Sequence, residues 1–295
     1  MLADGAQTAF AAGVVAELAR RGATWSVGRG AGLGAQVAVL ALLGEAGEAE
    51  RRWRRQGELG CPLLTSAVAA ARARLGERPG VSVAPDAWSL PGWLDPEELR
   101  EHLAPEFAGV PERLRTAGAR CAVAVEDLTA GAVTWVELSS ASPADAAAAL
   151  EAAASFPAGW PAAGANDAPA PSLRWGGAGL VADTGWLSEA AGWDVVCGFP
   201  VPPVARPGLG DALLELVQRR EEIRAGLTVS SWSSPGLDVI APTGAGYARW
   251  ATRDGAELGI EYPLPWERNG ELVGVLVEYG RVAARQHERD DAEKV

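Results

Sequence analysis

Apolar residues at helical spacing, Phe10, Val14, Val15 and Leu18, predict a helix over 10–21. The short apolar run "ATWSV" predicts a strand, and an alanine- and valine-rich pattern predicts a helix over 33–43. A charged helix over 45–56 and another over 66–75, stopped by "GERPG", follow. Pro85, Pro91 and Pro96 make 81–96 an irregular connection, after which "DPEELREHL" has the signals of a helix start. "CAVAVEDL" and "AVTWVEL" are two strands joined through "TAGA", and "SPADAAAALEAAAS" is a capped helix. Beyond a Gly-, Ala- and Pro-rich loop over 159–171, "GLVAD", "WDVVCGF" and "GLDVIAP" read as strands. Helices are predicted over 211–224 and in the first half of "YARWATRDGAELGIEY".

Helices alternating with short apolar strands predict an α/β fold with a mostly parallel central sheet. No internal repeat or linker divides the chain, so 1–284 is expected to form a single domain. The charged segment 285–295 is expected to be a frayed or disordered tail.

Composition narrows the function classes. The 295 residues are 48% apolar and carry a formal net charge of −12, which argues against nucleic acid or an anionic membrane surface as partner. The three cysteines, Cys61, Cys121 and Cys197, are too scattered for a disulfide framework or a zinc site, and are expected to be reduced. No metal or cofactor is expected. No secretory signal or transmembrane stretch is apparent, so the chain is expected to be soluble and cytoplasmic.

The candidate chemistry lies in "SVGRGAGLGAQVAV", where Gly28, Gly30, Gly32 and Gly34 stand between a strand and a helix. Gly30, Gly32 and Ala35 satisfy the G-x-G-x-x-A fingerprint of a dinucleotide site. That site also needs a second strand ending in an acidic residue, and here a charged helical segment follows instead. The competing pattern is the nucleophile elbow G-x-S-x-G, with Gly28 and Gly32 as the outer glycines, Arg29 between, and Gly30 at the serine position. A cation at Arg29 could serve an anion; a solvated side chain or a partner for a surface acid is the simpler role.

Taken in order along the chain, several segments resemble the patatin-like phospholipase family. They are "ADGAQTAFAAGVVAEL", "WSVGRGAGLGAQVAV", "CAVAVEDLTAG", "ASFPAGWPAA", "LVADTGW" and "GWDVVCGF". The resemblance implies a three-layer α/β/α sandwich and acyl-ester hydrolysis by a Ser-Asp dyad. It makes Asp183 the dyad aspartate and Gly30 the nucleophile position, with the serine absent. It makes Asp4, Gly5, Ala6 and Gln7 the remnant of the oxyanion loop.

Asp4 brings a negative charge to where negative charge would develop, Gln7 replaces a cation, and Thr184 replaces a glycine after the aspartate. These departures predict a catalytically inactive protein that acts as a binding or regulatory partner. A lipid or acyl ligand, or an active patatin-like relative, is the expected partner. The alternative is a working lipid acyl hydrolase with a relocated nucleophile, for which Thr8, Ser26 and Cys61 are the candidates.

Overall fold

The computed structural model describes residues 8–58, 107, 109–127, 131–154, 163–165, 172–175, 193–196, 237–240 and 269–294. The expected helices over 66–75 and 211–224, the one opened by "DPEELREHL", the strand "GLVAD" and the helix in "YARWATRDGAELGIEY" lie outside these residues.

The described elements are α1 (Thr8–Arg20), β1 (Val27–Gly30), α2 (Gly34–Leu42), α3 (Ala46–Glu58) and α4 (Val110–Thr116). Then come β2 (Arg120–Asp127), β3 (Ala132–Glu137), α5 (Pro143–Ala154), β4 (Ala163–Ala165) and β5 (Ser172–Trp175). β6 (Trp193–Val196), β7 (Leu237–Ile240) and α6 (Asn269–Lys294) complete the set. The class is α/β.

Strand pairing is mixed. β1 runs parallel to β2, whereas β3 and β5 pair with β2 antiparallel, and β4 pairs with β5 antiparallel. β6 and β7 form a separate parallel pair. The antiparallel β2–β3 pair follows from its connection, because so few residues can close a hairpin but not a crossover. Gly131 takes a left-handed φ of 63° in that turn. Among the described residues β1 pairs with β2 alone, while β2 has strands on both edges.

One face of the β1–β2 pair is covered by helix. Lateral neighbours in a sheet share a face, so Gly28, Gly30, Cys121 and Val123 point the same way, toward α2. Arg29 and Ala122 point the other way. α5 also packs on β2, and its start is capped by Ser142, whose Oγ accepts the Asp145 amide at 3.1 Å.

α1 is the centre of the helical cluster. Its residues from Thr8 to Leu18 are buried among α2, α3 and α6. The crossing with α6 is close because each helix presents a glycine to the other's backbone. A Cβ on Gly13 would run into the carbonyl of Val277, and one on Gly280 into the carbonyl of Phe10. Beside these contacts the Phe10 and Tyr279 rings meet at 5.3 Å between centroids.

The segment expected to be a frayed tail is instead the continuation of α6, which is helical to Lys294. Val273, Leu276, Val277 and Ala284 are buried on it, and Glu278, Arg281 and Arg285 form ion pairs. Glu17, only 5% exposed, is gripped by Arg20 and by Arg21 at 3.2 Å on its own helix. Arg281 and Arg285 reach it from α6 at 3.5 and 3.6 Å. Glu50 of α3 takes Arg54 at 2.8 Å, Arg20 at 3.2 Å and Arg281 at 3.7 Å. Arg54 also meets Glu278 of α6, so the lattice ties three helices together.

Burial would raise the Glu17 carboxyl, but the bond from Arg21 and the charge of Arg20 outweigh it and hold the group below its ordinary 4.5. Burial likewise opposes the effect at Glu50, and Arg54 overcomes it. A carboxylate with a depressed folded pKa contributes stability that is present above its unfolded pKa and lost as pH falls through the folded value. Urea unfolding midpoints should therefore drop as pH is lowered from neutral to below 4.5. Glu17→Gln should lower the midpoint at neutral pH and flatten that acid slope. A variant whose pH dependence matches the wild type would show that Glu17 does not carry it.

Candidate functional site

The glycine stretch divides between strand and turn. Gly28, Arg29 and Gly30 belong to β1, which shares only Val27 with the predicted strand "ATWSV", and the turn proper is Gly32 and Leu33. Strand structure survives two glycines because α2 lies directly on them. A Cβ on Gly28 would come within 2.8 Å of Leu42 Cδ1. One on Gly30 would run into Ala35 Cα and lie 3.0 Å from the Ala35 nitrogen. Both glycines thus permit close helix-on-sheet packing, and Gly30 is itself buried.

Two consequences follow for chemistry. An elbow nucleophile rides on strained backbone with its side chain projecting outward. Here the left-handed φ, 62°, belongs to Gly32, and position 30 is strand whose Cβ direction is filled by α2. A phosphate cradle, for its part, needs free amides at the helix start. The amides of Ala35 and Gln36 are already donated to the Gly32 and Leu33 carbonyls, each at 3.1 Å.

Arg29 points to the opposite face. Its guanidinium lies 5.2 Å from the centroid of the Trp135 ring on β3, a cation–π contact across the sheet.

The remaining positions implied by the family resemblance, Asp4, Gly5, Ala6, Gln7, Asp183 and Thr184, lie outside the described residues, as does Cys61. Of the other relocated-nucleophile candidates, Thr8 is the first residue of α1, and among the described residues its buried hydroxyl has no hydrogen-bond partner to act as a base. Ser26 is exposed just before β1, where its carbonyl accepts the Arg120 amide at 2.8 Å. Cys121, beside Gly28 in the sheet, is fully buried, and burial pushes its thiol up to about 12. It is not a nucleophile at neutral pH. Among the described residues no group of His, Cys, Asp and Glu could hold a metal ion, and no helix is long and apolar enough to cross a membrane.

The sequence pattern missed the arginine–carboxylate lattice and the paired glycines of α1 and α6. The lattice leaves a local trace, since "ELARR" and "GEAERRWRR" place Glu and Arg three or four residues apart. The glycine pairing leaves none, because its partners are far apart in the chain. No protein family and no curated protein sequence matches the chain.

Proposed function

We propose that this chain is a patatin-like protein, a three-layer α/β/α sandwich, that has lost hydrolysis and works by binding. The observation that carries the reading is at position 30. The residue there is glycine, and the space a side chain would enter is occupied by the first turn of α2. The ordered resemblance of the segments around "GRGAG" supplies the ancestry, and Asp183 is then a dyad aspartate without its partner. In this role the chain binds an acyl chain or other lipid, or regulates an active patatin-like relative.

The test is direct. Purified protein is incubated with p-nitrophenyl acyl esters and, separately, with a fluorophosphonate probe. Neither turnover nor covalent labelling should exceed a heat-killed control. Labelling that maps to a serine, threonine or cysteine would overturn the reading in favour of an active acyl hydrolase.

A further inference from the structure

Between α1 and α3, on elements apart from β1, lies a depression of about 470 Å³. Its floor is alanine and glycine from α1 and the start of α3, and its polar wall is Arg20, Arg51, Arg54 and Glu50. Small residues there leave room that the long side chains around them border but do not fill.

The charge is of the opposite sign to the chain as a whole. Among the described residues its lining sets the guanidiniums of Arg20, Arg51 and Arg54 against the carboxylate of Glu50, in a chain whose net charge is −12. Arg20, Arg51 and Arg54 each have five N–H donors, more than their bonds to carboxylates among the described residues take up. Among the described residues Arg51 donates to Glu48, through Nε at 2.9 Å and through a terminal nitrogen. Arg20 divides its terminal nitrogens between Glu17 and Glu50.

We propose that this depression binds a small soluble phosphate monoester, seated among Arg20, Arg51 and Arg54. A phosphate monoester carries roughly −1.5 to −2 charges at neutral pH, which matches the local excess of two guanidiniums. Its oxygens suit the planar fork of arginine better than a halide or a single carboxylate does. The volume exceeds what inorganic phosphate needs and falls in the range of small-ligand sites. Glu50, already held by three arginines, is an acceptor for a hydroxyl on the organic part and disfavours a bare polyanion.

Isothermal titration at fixed ionic strength tests this with glycerol 2-phosphate, inorganic phosphate and acetate as probes. Glycerol 2-phosphate should bind more tightly than inorganic phosphate, and acetate should give no saturable signal. Arg20→Gln and Arg51→Gln should each weaken binding about tenfold or more. Arg115→Gln removes the same charge from a residue paired with Glu112 on α4, and should leave binding unchanged. Should either lattice variant lose its circular dichroism, Ala19→Leu decides instead, since it fills the depression without altering charge and should abolish binding. Acetate binding as well as the phosphates, or full affinity in Ala19→Leu or in folded Arg20→Gln and Arg51→Gln, would overturn the proposal.

Discussion

Gly30→Ser is expected to give a less stable protein that still fails to hydrolyse esters. Restoring the serine of a G-x-S-x-G pattern would ordinarily be the first attempt to revive such a site. Here the new Cβ meets Ala35 backbone, so either α2 lifts from β1 or the strand bends. Overpacking of this kind costs about 1–3 kcal/mol, and a buried hydroxyl without a partner adds a similar amount. The thermal midpoint should fall by several degrees. On the proposed reading catalysis should remain absent, because the hydroxyl enters a helix contact rather than an open space, and because in the family resemblance Asp4 adds a negative charge to the oxyanion loop and Gln7 replaces its cation. Fluorophosphonate labelling of Gly30→Ser at wild-type stability would mean that α2 is not where packing puts it.

The second large effect is at the crossing of α1 and α6. Gly13→Ala should destabilise the fold by about 3 kcal/mol, since the added methyl overlaps the Val277 carbonyl and neither helix can give locally. Gly280→Ala should do the same from the other side, against Phe10. Gly274 on the same helix is the internal control. A Cβ there meets nothing within 4 Å, so Gly274→Ala should stabilise by about 0.5–1 kcal/mol through helix propensity alone. Urea denaturation of the three variants measures both signs at once. Equal effects at positions 13 and 274 would rule out the close crossing.

What local pattern could reveal depended on how far each element's determinants lie along the chain. The β2–β3 hairpin was legible because its turn glycine and alternating strands are contiguous. The cap at Ser142 was legible for the same reason. β1 was displaced because glycines at 28 and 30 read as a turn, while the covering helix α2 makes them strand. α6 went unread although Val273, Leu276, Val277 and Ala284 follow helical spacing. Its charges looked like a solvated tail, and the acids that hold them, Glu17 and Glu50, belong to distant helices. At the glycine stretch the sequence supplied the right residues and two chemical readings. Only the position of Ala35 brought in the packing reading, in which alternate glycines are where a helix rests on a strand.

The crossing of α1 with α6 also has a temporal side. Glu17 and Arg281, which meet across it, are 264 positions apart. At about 5–20 residues per second, a ribosome exposes α1 roughly 10–50 s before the end of α6 is made. For that interval the face of α1 that packs on α6 lacks its native partner, while α2 and α3, made soon after α1, can cover the rest. The crossing of α1 with α6 therefore closes only once α6 has been made.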